Sequence, residues 1–287
     1  YGRGTRNEYR ITHCISNHFD PLDEEHTGAL LVLVRREWEA YDGWVLNHED
    51  EINDFLAMLD LDPAQVGGVI ETSPQDEQGL QTQIFQTFAS TLSNKFPTAD
   101  IMSAKAREIQ DVLFNHKEYT KTRPDRRLLD WLVMEYRLFR YIEDMQFHEK
   151  IRQGFSSMEE FLSVANSITN RRKSRASKSL ENHLAAIFTG NCLTFDAQVV
   201  TEGRKRPDFI FPGSAAYHDP SFNAQNLIVL AAKTTCKDRW RQILNEADRV
   251  RDKKKYLCTL QQGVSSKQMQ EMLDENVTLV VPAPYIA

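Results

Sequence analysis

Pro207-Asp208 opens the apolar run "PDFIF", and Lys233 closes the run "LIVLAAK". Runs this rich in β-branched and aromatic residues read as strands. Adjacent strands could bring the aspartate and the lysine together at one end of a sheet. A carboxylate and an ammonium placed that way can hold a divalent cation beside a water or a phosphate oxygen. The same two residues taken alone also fit a salt bridge at a sheet edge, so the elements that position them matter.

Around them the pattern predicts a helix with Leu180, Leu184, Ile187 and Phe188 on one face, then strands at 193–200, 208–211 and 227–235. A helix follows at about 237–250, then a strand at 255–260, a short helix at 266–275 and a last strand at 277–281. Trp240, Ile243, Leu244 and Ala247 have the spacing of a buried helix face. This α-β-β-β-α-β-α-β order implies an α/β fold, a mixed sheet flanked by helices. Upstream, 80–150 reads as helical, with Pro124 in a first-turn position and Ser157 and Glu160 in a capping-box pattern. Residues 29–38 and 67–72 look like strands and 49–59 like a helix, with the polar stretch 72–79 as a boundary.

With 287 residues and a net charge of -6, the chain is long enough for one large or two smaller domains. Its overall acidity argues against a nucleic-acid binder, but its distribution does not. Residues 20–62 hold 13 Asp and Glu against two Arg, whereas 167–255 hold 17 Lys and Arg against 9 acids. Basic clusters fall at 171–178, 204–206 and 249–255. Each alone fits a solvated surface; gathered around one site they would form a salt-sensitive phosphate-binding rim. Cys14, Cys192, Cys236 and Cys258 are scattered without zinc-site spacing and read as reduced cytoplasmic thiols. No run is long and apolar enough for a membrane span.

Longer stretches carry a resemblance. "NRRKSRASKSLE" (170–181), "TEGRKRPDFIFP" (201–212), "AYHD" (216–219) and "AAKTTCKDRWRQILNEAD" (231–248) are similar to the EcoRII-type (type IIE) restriction endonucleases. These belong to the superfamily with a Pro-Asp, then an acid two residues before a catalytic lysine. Ala231 stands where that second acid would be. In the rearranged branch the missing carboxylate comes 13 residues after the lysine, which here is Glu246. The resemblance is strongest over 166–281.

The resemblance implies a restriction-endonuclease-like fold, homodimeric, cutting double-stranded DNA at a CCWGG-like site with Mg²⁺. Asp208 and Glu246 would be the metal ligands, Lys233 would orient the attacking water or stabilise charge on the scissile phosphate, and Glu181 would be an auxiliary acid. Tyr217 would touch the scissile region, though a packed tyrosine fits as well; the same holds for Tyr136 as the wall of a base-extrusion pocket. Lys237, Asp238 and Arg239 match a tripeptide that reads C·G pairs, cations donating to guanine and the aspartate accepting from cytosine. Arg171, Arg172, Lys173 and Arg175 would contact phosphates. "TRNEYRIT" (5–12) is similar to the recognition loop of an effector pseudobarrel, with Arg6, Asn7, Glu8 and Arg10 facing base edges. Residues 1–72 are then part of an effector DNA-binding domain, and 73–287 a catalytic domain with its core at 166–287. A silent DNA-binding regulator of the same fold is the alternative.

Overall fold

A computed structural model describes residues 26–37, 40–59, 61, 63, 79–92, 96–237, 240–250, 253–260 and 263–285. The strand expected at 67–72, the boundary at 72–79, and Cys14 lie outside these residues. So do Arg6, Asn7, Glu8, Arg10, Asp238 and Arg239.

An antiparallel hairpin of β1 (Leu30–Glu37) and β2 (Ala40–Leu46) comes first, with a bulge between Arg35 and Glu37. The strand predicted at 29–38 is β1; its partner, rich in polar and small residues, was not foreseen. Helix α1 (Glu49–Met58) follows, then α2 (Gly79–Ser90), α3 (Ala99–Phe114), α4 (Tyr119–Thr122), α5 (Pro124–Gln153) and α6 (Met158–Gly190). Pro124 takes the first position of α5, where its missing N–H costs no hydrogen bond. Ser157 caps α6, accepting from Glu160 N at 3.2 Å. Glu160 reaches back to Ser156 N at 2.7 Å, one residue beyond the usual capping-box partner.

Beyond α6 come β3 (Asp196–Ala197), β4 (Phe209–Phe211), α7 (Ser214–His218), β5 (Ile228–Lys233), β6 (Lys255–Thr259), α8 (Ser266–Asp274) and β7 (Val277–Val280). They form one five-stranded sheet in the order β3-β4-β5-β6-β7. The β3/β4 and β4/β5 pairs are antiparallel, β5/β6 and β6/β7 parallel, which is the mixed sheet expected. Alternation along β5 explains its apolar sequence. Leu230 and Ala232 pack with Leu128, Leu132, Leu180 and Leu184 of α5 and α6. Ala231 faces the other way, onto Trp240, Ile243, Leu257 and Met272, as Val229 does onto Ile210, Ala247 and Val250.

The helix expected at 237–250 is corrected. Within the described residues this segment forms two short 3₁₀ turns, Trp240–Asn245 and Asp248–Val250. Trp240 and Ile243 are held by one apolar cluster and Ala247 and Val250 by another. Trp240 is buried in the core, as its spacing suggested.

A buried polar network ties α3, α5 and α6 together. His183 pairs with Glu135 at 2.9 Å, both fully buried, and Arg107 Nη1 lies 3.2 Å from His183 Nδ1. Groups this buried tolerate only one helix register, because any slip would leave a charge unpaired. Helix α6 is therefore the spine joining the helical part to the sheet. Leu180→Ala, which empties a fully buried site between α6 and β5, is expected to lower unfolding free energy by about 2–5 kcal/mol in urea titration. A loss below 1 kcal/mol would show that this interface is not the core it is taken to be.

Candidate active site

Asp208 immediately precedes β4, and Lys233 ends β5, its antiparallel neighbour. The ladder pairs Phe209 with Leu230, and the right-handed twist of a sheet brings the flanking side chains over one another. Lys233 Nζ donates to Asp208 Oδ2 at 3.0 Å, and the backbone N–H of Ala232 donates to the same oxygen at 2.8 Å. Asp208 Oδ1 accepts from Gln198 Nε2 at 2.7 Å. Asp208 is buried, so these three donors replace the water its charge has lost.

Glu246 lies in the bend between the two 3₁₀ turns. Its backbone is fixed by Thr201, whose hydroxyl donates to Glu246 O at 2.8 Å. The turn that carries Thr201 also binds the next residues. Glu202 Oε2 accepts from Asp248 N at 3.1 Å, and Lys205 Nζ reaches both Asp248 oxygens at 2.8 Å. Among the described residues, the Glu246 side-chain oxygen Oε2 is buried without a hydrogen-bond partner. Burial pushes the Glu246 carboxyl up to about 7, partly offset by Lys233 and reinforced by Asp208. Burial opposes the charge of Lys233, but Asp208, with Glu246 and Glu181 behind it, outweighs this and holds the ammonium above its ordinary pKa. Asp208, Lys233 and Glu246 thus feel one another directly. Glu181 joins them from α6: its Oε2 accepts from Lys178 at 2.6 Å and from Gln198 at 3.2 Å.

These residues fit a divalent cation. An unpartnered buried carboxylate oxygen beside a second carboxylate is a hard, negative donor pair. Mg²⁺ is commonly held by only one or two carboxylates while keeping several waters. Among the described residues no group of three or more His, Cys, Asp or Glu could hold a metal ion by itself, so the two carboxylates would leave the rest of the shell to water or substrate.

The other expected site residues are placed as follows. Tyr217 is buried among Ile210, Leu227 and Val229. Its hydroxyl donates to Glu202 and accepts from Arg249 N, and burial raises its pKa; in this conformation it ties the 201–205 turn to the 248–250 turn instead of facing the cleft. Tyr136 is likewise buried, beneath Arg140 and Arg175. Arg171 stacks on Phe96 at 4.4 Å, and Arg175 lies over Tyr136 and Phe139 at 5.2 Å. Arg172 grips Glu143 through Nε at 2.9 Å and donates to Ala57 O at the end of α1 at 2.9 Å. Lys173 pairs with Asp54. These four cations hold helices together, and Arg172, Lys173 and Arg175 also line the cavity that reaches Lys233. Lys237 donates to Asn47 Oδ1 at 3.3 Å. Gln198, Thr201, Glu202, Lys205, Asn47 and Glu49 were not foreseen; only their position inside the similar stretches around 201–212 hinted at the middle three.

In metal-free protein the neutral Glu246 acid is favoured by the fold. That contribution is complete below the unfolded pKa of ~4.3 and is lost as pH rises through about 7. Glu246→Gln, permanently neutral, should therefore stabilise metal-free protein at pH 8 by about 3 kcal/mol relative to its effect at pH 4, read from paired urea melts. Equal effects at both pH values would rule out a strained carboxylate.

Comparison with known proteins places this geometry. The family described as EcoRII C terminal matches residues 139–286. The Escherichia coli "Type II restriction enzyme EcoRII" is 39% identical over 97% of this chain and 69% of its own length. The Shigella sonnei "Type II restriction enzyme SsoII" is 29% identical over 57% of this chain and 53% of its own. Among solved structures, metal-depleted Ecl18kI in complex with uncleaved, modified DNA superposes with TM-score 0.55 at 21% identity, over 70% of this chain and 75% of that one. The restriction endonuclease PspGI-substrate DNA complex gives 0.53 at 16%, over 74% and 81%. At that identity the structures establish a restriction-endonuclease-like fold, and the sequence matches establish the rest: this chain belongs to the EcoRII C-terminal family, and it is an enzyme of the type II restriction class.

Proposed function

We propose that the protein is a Mg²⁺-dependent, site-specific endonuclease that hydrolyses phosphodiester bonds of double-stranded DNA at a CCWGG-like sequence. It would act as a homodimer so that two sites address both strands. The observation that carries this reading is the 3.0 Å Lys233–Asp208 pair with the buried, unpartnered Glu246 oxygen coupled to it. The relatives' names and the DNA in the neighbouring structures support the substrate.

Asp208 and Glu246 would hold the metal. Once bound there, Mg²⁺ supplies Lewis-acid polarisation of a phosphoryl oxygen and a coordinated water of lowered pKa. Lys233 remains protonated at neutral pH, so it serves as a donor: it orients the attacking water or meets the charge that builds on the scissile phosphate. Lys237, Asp238 and Arg239, close after the lysine, would read C·G pairs in the major groove. Arg6, Asn7, Glu8 and Arg10 would bind a second copy of the site, and Arg171, Arg172, Lys173 and Arg175 would meet phosphates if released from their present partners. A silent regulator of the same fold would have no reason to retain Asp208, Lys233 and Glu246 together.

The N-terminal segment bears on the same place. Glu49 Oε1 accepts from Thr235 Oγ1 at 2.9 Å, and Asn47 accepts from Lys237. Helix α1 and α6 enclose a cavity of about 160 Å³ lined also by Lys233, Thr234 and Thr235. In this arrangement the segment sits on the face where DNA must enter, so binding of a second site would regulate cleavage by drawing it away.

With Mg²⁺, plasmid bearing CCWGG should be cut, and Lys233→Ala should abolish cutting while sparing duplex binding; an uncut plasmid beside an active control enzyme would refute the proposal. For regulation, Asn47→Ala with Glu49→Ala removes two contacts that each have one charged partner and contribute about 1–2 kcal/mol apiece. Cleavage of a one-site substrate should then rise roughly 5-fold or more. An unchanged single-site rate would exclude this segment as the brake.

A further inference from the structure

We propose that Gln198 is a positioning residue of this site: its side-chain amide clasps Asp208 and Glu181 together and fixes the orientation in which Asp208 meets the metal. The proposal rests on the endonuclease reading.

Three observations carry it. First, β3 is only Asp196–Ala197, with Ala197 opposite Phe209. The next backbone bond, Gln198 N to Asp208 O at 3.1 Å, sets Gln198 directly across from the aspartate. Second, one amide nitrogen donates to both carboxylates, 2.7 Å to Asp208 Oδ1 and 3.2 Å to Glu181 Oε2. Both N–H bonds are used, so the amide cannot flip without setting its carbonyl oxygen against two negative groups. Asp208 Oδ2 already takes Ala232 N and Lys233, which leaves Gln198 as the donor that holds Oδ1. Third, Gln198 has φ 55°, a region that glycine or asparagine occupies more readily. A long side chain kept in this backbone is explained by what its end does.

The choice of amide follows from the charges. Lys233 and Lys178 each serve one of these acids, and a third cation between them would compete with the metal. A carboxylate at 198 would repel both. A neutral double donor restrains the acids and leaves their charge available to a cation, as hydrogen bonds behind metal ligands commonly do.

The full chain carrying Gln198→Gly tests this, because glycine relieves the backbone while removing the amide. Thermal stability should be equal or higher. Affinity for Mn²⁺, read from loss of the free-ion paramagnetic resonance signal, should fall roughly 10–100-fold. Duplex binding without metal should not change. Gln198→Asn, which tolerates the same backbone and keeps an amide, should recover part of the Mn²⁺ affinity. Wild-type Mn²⁺ affinity in Gln198→Gly would overturn the role of Gln198 alone, as would a melting temperature that drops in step with affinity. A wild-type chain that binds no Mn²⁺ and cuts nothing would overturn the endonuclease reading itself.

Discussion

Asp208 and Lys233 meet across two antiparallel strands in a site that has shed most of its water: the aspartate side chain is 6% exposed and the lysine 24%. Burying such a pair is favourable only when the remaining lone pairs are also bound, and here Ala232 N and the Gln198 amide bind them. One ammonium then faces Asp208, Glu246 and Glu181, all of which act on its charge. The excess falls on Glu246, whose oxygen has no donor and whose carboxyl is pushed up to about 7. In the metal-free fold a proton on Glu246 relieves that excess, and the cation proposed for this site would take the proton's place. The resulting instability is local, because the same strands are anchored by Phe209, Leu230 and Ala232 in the helix-packed core.

The missing acid at 231 has a packing reason. Side chains at 231 and 233 share a face of β5, but Ala231 is deep in the cluster of Trp240, Leu257 and Met272. A carboxylate there would displace apolar contacts and lose its water in a tightly packed layer. Glu246 instead reaches the pair from a segment that two 3₁₀ turns carry along the sheet, with Thr201, Glu202 and Lys205 holding it from the facing turn. Moving the acid off the strand thus exchanges a buried charge in an apolar layer for one at the margin, and requires a separate brace to keep it there.

Much of this was legible beforehand. Runs such as 208–211 and 227–235 declare themselves as strands by composition, and the Lys233-to-Glu246 interval, read with the longer similar stretches, pointed to a carboxylate that the fold couples to Lys233. What escaped was set by tertiary context. The spacing of Trp240, Ile243 and Ala247 suits an α-helix, and only the separation of the two apolar clusters unwinds it. Gln198 lay inside a predicted strand at 193–200, where nothing distinguishes a left-handed residue from an extended one. The arginines of 171–175 looked like a phosphate rim because charge in a sequence carries no direction; on α6 they turn to Phe96, Glu143 and Tyr136.

Those contacts are not equally hard to give up, and the difference bears on how DNA could be admitted. Arg172 is tied to a buried Glu143 and to the carbonyls ending α1, so freeing it would strand a buried carboxylate. Lys173 and Asp54 are both half exposed, and pairs of that kind contribute at most ~1 kcal/mol. The Lys237–Asn47 bond, at 3.3 Å, sets a single amide oxygen against what a phosphate or a guanine edge would offer the same ammonium. A polyanion approaching this face would therefore take Lys173 from α1 and Lys237 from Asn47 at little cost, while Arg172 keeps the end of α1 moored to α6. If the N-terminal segment is released as proposed, the end of α1 would stay moored through Arg172 and Glu143 while Lys173 and Lys237 change partners.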